Sequence, residues 1–328
     1  MQMMSRVAFF AAALGLVFSV AGVPWAQAQL AYPTKPIRML VGFPVGGGAD
    51  VAARAVGPRM SEMLGQQIII DNRPGAGSAI ASELAAKSTP DGYTLVSIGS
   101  SHAVNAALYP KLPFASAAGF NAIVLLATAP VAITVNVTVP AKSLKELLAL
   151  AKARPGQLNY GSGGVNGINH LAAELLKRSA NVDFTLVPYK GVAQALPALI
   201  AGEIQLMFAS LPGSIDQIRA GRIRAIAVTS FKRSNSAPDI PTVIESGLPG
   251  YEASSWFGLL APVGTSKEII TRLNTDALKT LRLRDVHELL VRQGMDPAGS
   301  TPAEFDAYLR SEIAKWTRVV KESGIQAN

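Results

Sequence analysis

Short apolar runs alternate with amphipathic stretches along most of the chain. Ile37–Phe43 is an apolar run of strand length, and Ala49–Leu64 then places apolar residues at Ala52, Ala55/Val56, Met60 and Met63/Leu64. That spacing predicts a helix, with a kink at Pro58 and an end at Gly65. "QQIIID" reads as a strand, "NRPGAG" as a turn, "SAIASELAAKS" as a helix, "TPDG" as a turn and "YTLVSIG" as a strand. Repeated β and α units of this kind predict an α/β fold with a parallel, doubly wound sheet.

The run "AIVLLATAPVAITVN" exceeds an ordinary strand. Pro130 is expected to divide it into Ile123–Ala129 and Val131–Asn136, as where a strand leaves one lobe and enters another. A helix from Ser143 to Arg154 follows, then the strand "QLNYGS", the break "GSGGVNG" and the helix start "INHLAAELLKRS". This echoes "RMLVGF–PVGGGAD–VAARAV" roughly 120 residues earlier, about one lobe's length. The pattern continues through "FTLVPYKG", "AQALPALIAGEIQLMFAS" and "IRAIAVTS", and a proline-rich connection returns the chain to two closing helices. The first begins near Thr265–Ser266. The second begins at "STPAEF", where Thr301 and Glu304 form a capping box with Pro302 at the first helical position.

Composition narrows the possibilities. With 328 residues, 49% hydrophobic and 16% charged, the chain can bury a large core, and no long charge run or low-complexity tract suggests disorder. At the N-terminus Arg6 precedes "VAFFAAALGLVFSVAGV", and Ala26 and Ala28 are spaced as in a signal-peptide cleavage site, so export with cleavage near Ala28 is expected. The absence of cysteine removes disulfides, thiolate chemistry and a lipid anchor on an N-terminal cysteine. The formal charge is +8, but arginines such as Arg38, Arg54, Arg59 and Arg73 are scattered and form no basic stripe. Nucleic acid is therefore not expected as a partner.

Catalytic chemistry is hard to assemble. No G-x-S-x-G occurs, and His102, His170 and His287 have no metal-ligand spacing around them. "GSGGVNG" misses the dinucleotide fingerprint at Asn166, and "FTLVPYKG" lacks the acid that would hold a ribose. No cofactor is called for. The glycine loops retain a physical capability: a helix N-terminus offers unpaired N–H groups and partial positive charge, which glycine lets a ligand approach closely. Two such loops, one per lobe, would grip a small carboxylate without a charged side chain.

The ordered set "GFPVGGGADVAAR", "IIIDNRPGAGS", "TPDGYTL", "NYGSGGVNGINHLAAELL", "VPYKG", "AGRIRAIAVTS" and "IPTVIESGLPGYEASSWFGLLAP" resembles the tripartite tricarboxylate transporter substrate-binding proteins, the Bug or TctC family. The resemblance spans essentially the whole mature chain. It implies a two-lobed, type II periplasmic-binding-protein-like α/β fold with a ligand cleft between lobes. The expected organisation is a signal peptide at 1–28, a first lobe of 29–129 with 240–328, and a second lobe of 130–239. The partners implied are an organic acid (a di- or tricarboxylate, an aromatic acid, or an amino or pyridine carboxylate) and a permease with one small and one large integral subunit. The protein itself is expected to be a periplasmic monomer and not an enzyme.

By the same resemblance the loop from Phe43 to Asp50 meets the ligand through the backbone of Gly46, Gly47, Gly48 and Ala49. An acid at Asp50 suits the positive end of the helix. Ser101, His102 and Asn105 are expected on the first-lobe wall, Ser162, Gly163, Gly164, Asn166 and Asn169 on the second, and Trp256 on the ligand or the hinge. Family members often carry an acidic or asparagine-type residue where Ala209 and Ser210 stand, so a small lining at Ser210 would leave room for a bulkier ligand body. Two other readings share these residues: a sensor passing its ligand to a membrane kinase, and an exported α/β enzyme.

Overall fold

The computed structural model describes residues 32–75, 78–109, 117–162, 167–189 and 192–323. The expected signal peptide, with Ala28, and the candidates Gly163, Gly164 and Asn166 lie outside the described residues.

The first elements are β1 (Ile37–Val41), α1 (Gly48–Leu64), β2 (Ile68–Asn72), α2 (Ala79–Ala86), β3 (Thr94–Gly99), α3 (Ser100–Leu108) and the long strand β4 (Phe120–Asn136). There follow α4 (Leu144–Ala153), β5 (Asn159–Ser162), α5 (Ile168–Ala180), β6 (Thr185–Pro188), α6 (Val192–Ala201), β7 (Leu206–Ser210), α7 (Leu211–Arg219) and β8 (Ile223–Val228). The chain closes with β9 (Ser254–Pro262), α8 (Lys267–Leu281), α9 (Arg284–Arg292), β10 (Asp296–Pro297) and α10 (Pro302–Ser323).

The strands form one sheet in two halves. In the first, β2, β1 and β3 run parallel, β9 is antiparallel to β3 and β4, and β10 adds to β4. In the second, β4 lies antiparallel to β7 and β8, and β7, β5 and β6 are parallel. Pro130 does not split the apolar run into two strands, as its sequence suggests. The strand continues through it and changes partner: Pro130 is opposite Ser254 of β9, whereas Val131 is opposite Ser210 of β7. A proline is tolerated in a strand where no ladder hydrogen bond asks for its missing N–H.

Thr229 ties this crossing together. Its Oγ1 accepts from Val131 N at 2.9 Å and donates to Ala253 O at 2.6 Å. Its backbone N–H donates to Val131 O at 2.9 Å, and its carbonyl accepts from Ala253 N at 3.0 Å. One fully buried residue thus joins β4, the end of β8 and the approach to β9.

Helix α1 is helical throughout, with Pro58 on its exposed side, where water can take up the carbonyl that loses its donor. Where two closing helices are expected there are three, α8, α9 and α10. The capping box of α10 forms in both directions: Glu304 N donates to Thr301 Oγ1 at 3.2 Å and Thr301 N to Glu304 Oε2 at 2.7 Å. Further along α10, Glu312 is buried and accepts from both Trp256 Nε1 (3.0 Å) and Trp316 Nε1 (3.1 Å). Burial pushes its carboxyl above the usual range, although Lys315 pairs with it.

Thr229→Val keeps the shape of the side chain but strands Val131 N and Ala253 O in the core. At about 1–3 kcal/mol for a buried group left unpaired, it should cost roughly 2–4 kcal/mol in urea unfolding. A loss below about 0.5 kcal/mol, the usual scatter of surface substitutions, would show that the crossing does not depend on it.

Candidate functional site

Parallel strands in a sheet send all their C-terminal ends the same way, and a helix that starts there points its N-terminus into the crevice. Both halves are built like this. Directly beyond β1, β3, β5, β6 and β7 come the first turns of α1, α3, α5, α6 and α7. They converge on one cavity of about 700 Å³, which Gly48, Ser100, Ser101, Ile168, Asn169, Val192, Ala193, Pro212 and Gly213 all line.

Each helix start adds partial positive charge and amides with no partner inside the helix. In α1 the first intrahelical bond runs from Val51 N to Gly47 O at 2.9 Å, so the amides of Gly48, Ala49 and Asp50 precede it. In α5 it runs from Leu171 N to Gly167 O at 3.0 Å, leaving those of Ile168 and Asn169 ahead of it. Pro212 lies in the first turn of α7 and supplies no N–H.

Gly48 is glycine because of what lies under it. A Cβ there would sit 2.3 Å from Phe257 Cζ. The Phe257 ring therefore makes a floor against the α1 N-terminus, with Met295, Ala129 and Val51 continuing the apolar lining. The polar lining consists of Ser100, Ser101, Ser210, Ser255, Asn169 and Gln293. Among the described residues, no lysine, arginine, histidine, aspartate or glutamate lines the cavity. Asn169 is 8% exposed, and its Oδ1 is buried without a hydrogen-bond partner among the described residues.

Of the residues singled out in the sequence, Phe43, Gly46, Gly47, Gly48, Ser101, Asn169 and Ser210 come together on this cavity. Others stand back from it. Asp50 does not line the cavity: its carboxylate accepts from Gly46 N at 2.9 Å, from Arg54 Nε at 2.9 Å and from Asn72 Nδ2 at 2.8 Å. Burial alone would raise its pKa, but these donors together hold it below the usual carboxylate range. Consequently the Gly46 amide is already used by Asp50, and that of Gly47 by Pro44 O at 3.0 Å. The amides open to a ligand begin at Gly48. Ala49 is buried inside the first turn, and Ser162 at the end of β5; neither side chain lines the cavity, and nor does Asn105 on α3.

His102 is fully buried one residue beyond the lining Ser101. Its Nδ1 is 3.3 Å from Ser82 Oγ, its ring meets Phe120 edge-on, and burial lowers its pKa to about 4. It is neutral at pH 7 and can bring no charge to an anion. Trp256 is also turned away. It packs edge-on against Phe305 and Tyr308, while its neighbours Ser255 and Phe257 face the cavity. Successive strand residues alternate faces, so of the two expectations for Trp256, the ligand and the hinge, its packing does not place it on the cavity, which Ser255 and Phe257 line instead. Sequence reading missed Phe257, Ser255 and the α9–β10 turn at Gln293–Met295, which carry no local motif.

The family model described as "Tripartite tricarboxylate transporter family receptor" matches residues 52–325. Protein BugT of Bordetella pertussis is 34% identical, over 95% of this chain and 97% of its own length. Among solved structures, R. palustris Rpa4515 with adipate is 37% identical with a TM-score of 0.79, over 90% of this chain and 99% of that one. MatC (Rpa3494) from Rhodopseudomonas palustris with bound malate is 31% identical with a TM-score of 0.75, over 88% and 100%. The chain accordingly has their two-lobed periplasmic-binding-protein α/β fold.

The neutral His102 has a measurable consequence. Its folded pKa lies below the ordinary histidine value of 6.5, so between pH 6.5 and about 4 the unfolded chain binds the extra proton. Its contribution to stability is complete above that window and is lost as pH falls through it. In His102→Asn, which keeps a polar group near Ser82, the loss of stability from pH 7 to pH 4.5 should be smaller than in the wild type. Parallel urea midpoints for the two proteins across this range would contradict the assignment.

Proposed function

The chain belongs to the tripartite tricarboxylate transporter receptor family, and on that premise we propose that it captures a small organic carboxylate and delivers it to a membrane transporter of the same type. One observation supports this most directly: five helix N-termini open on a cavity that no charged side chain lines among the described residues. Such a site attracts an anion through fixed dipoles and amides that need no reorganisation when the ligand arrives. The ligand's carboxylate meets the amides from Gly48 onward in α1 or those of Ile168 and Asn169 in α5. Phe43, Gly46 and Gly47 form the rim on the α1 side, with Ser101 and Ser210 on the walls. Gly163, Gly164 and Asn166, which precede α5 in the sequence, belong to the same proposed site by their place in the chain.

The middle of the cavity suits a less polar body. Phe257, Met295, Val51, Ile168 and Val192 line it, and Ser210 leaves space where a larger side chain could stand. This combination favours an acid with an apolar segment beside or between its carboxylates, such as adipate, over a compact hydroxy acid such as malate. In this reading the lobes are 29–129 with 240–328 and 130–239, joined at the Pro130 and Thr229 crossing. The working location is the periplasm after removal of residues 1–28, and the recipient is a permease of one small and one large integral subunit. Among the described residues no helix is long and apolar enough to cross a membrane, which fits a receptor that works beside its transporter.

The test is thermal shift and calorimetry with adipate, longer dicarboxylates, benzoate, nicotinate, malate and citrate. A ligand at about a hundredfold over its Kd should stabilise the fold by roughly 2.7 kcal/mol. Acids with an apolar body should bind at least tenfold tighter than malate or citrate. A flat response to every acid would remove the proposal, and exclusive binding of malate or citrate would remove its account of the ligand body.

A further inference from the structure

The two halves of the sheet are joined by the crossing strands, but they also touch at a second place beside the cavity. The turn between α9 and β10 belongs to the first half, because β10 pairs with β4 at Thr128 and Ala127. Helix α7 belongs to the second half, where it packs on β7 and β8. Gln293 and Met295 from the turn, and Pro212 and Gly213 from α7, line the same cavity. Between Gln293 and Met295 stands Gly294.

Gly294 has φ +73°, and its backbone lies directly on the first turn of α7. A Cβ at this position would fall 2.9 Å from both Cα and N of Pro212 and 3.3 Å from the carbonyl carbon of Leu211. These are backbone and ring atoms, which cannot rotate away as the end of a flexible side chain can. Two hydrogen bonds flank the contact. Asn235 N donates to Asp296 Oδ1 at 2.8 Å, and Ser236 Oγ donates to Val291 O at 2.8 Å. The turn is itself anchored to the first half, since Arg59 of α1 bonds Asp285 of α9 at 2.7 Å.

The geometry points to Gly294 as a positioning residue that sets how closely the two halves approach across the cavity, and so how tightly an organic acid is enclosed. The missing side chain lets two backbones meet. Any Cβ there would act as a wedge between the halves next to the ligand. The Asp296 and Ser236 bonds hold the turn in the register that brings Gly294 onto Pro212. This rests on the cavity being the organic-acid site, but the closure itself can be measured without a ligand.

The chain contains no cysteine, so spin labels can be placed on Ile69→Cys and Val137→Cys, exposed positions in the first and second halves. In that background Gly294→Ala should lengthen or broaden the distance distribution of the ligand-free protein. It should also weaken binding of whichever acid stabilises the wild type by at least tenfold. Gly221→Ala is the control: Gly221 has φ +68°, close to that of Gly294, but nothing lies within 4 Å of the added Cβ. It carries the backbone strain without the wedge, and should leave both distance and affinity unchanged. Should Gly294→Ala fail to fold, the pair Ser236→Ala with Asp296→Ala removes the flanking bonds and should shift the distances in the same sense. Unchanged distances in the folded variant, or an equal shift in Gly221→Ala, would overturn the assignment. So would lost affinity with unchanged distances, because the turn would then be acting on the ligand directly. If no acid binds the wild type, the ligand-free distances still decide the question, and only the organic-acid reading falls.

Discussion

The architecture depends on one crossing. A single strand, β4, supplies partners to both halves of the sheet, and the change happens between Pro130 and Val131. At that point a strand would normally lose pairing and leave polar backbone groups buried. Thr229 prevents this by giving Val131 both a donor and an acceptor and by holding Ala253 on the returning chain. Buried backbone groups must be paired, so the junction has little freedom to slip. The orientation of the parallel strands, and with it the direction of each helix start, follows from that fixed point.

Given this frame, the helix ends gather on a cavity that no cationic side chain lines among the described residues. The protein is basic overall, yet several of its arginines are engaged elsewhere: Arg38 with Asp71, Arg54 with Asp50, and Arg59 with Asp285 and Glu62. The cavity draws instead on helix ends. Asp50 shows how finely the donors are allotted, for it consumes the Gly46 amide and so fixes the shape of the loop before α1. Asp50 is thus a brace for the loop that borders the cavity.

Much of this was legible in the residue string. The glycine breaks after β1 and β5, the βα alternation, and the capping box at Thr301 and Glu304 each have a local physical cause that composition and spacing express. The parts that were not legible depend on pairing at a distance. Whether Trp256 or Phe257 faces the cavity is decided by the register of β9 against β3 and β4, which no local pattern records. The use of Gly46 and Gly47 within their own loop, and the arrival of Gln293–Met295 from the far end of the chain, are likewise consequences of tertiary closure. The family resemblance places His102 on the cavity wall beside Ser101, at the start of α3. One step along a helix turns the side chain by about 100°, which here carries it from the cavity into the core.

A cradle made of peptide groups has no protons to gain or lose in the range where carboxylates are ionised. Its grip on an anion should therefore be indifferent to the acidity of the surroundings, down to the point where the guest itself becomes protonated. Sensitivity to acid is left to the scaffold, through buried groups such as His102 and Glu312, and is kept physically apart from recognition. In the proposed receptor, that separation would let capture stay constant while only the frame responds to its medium.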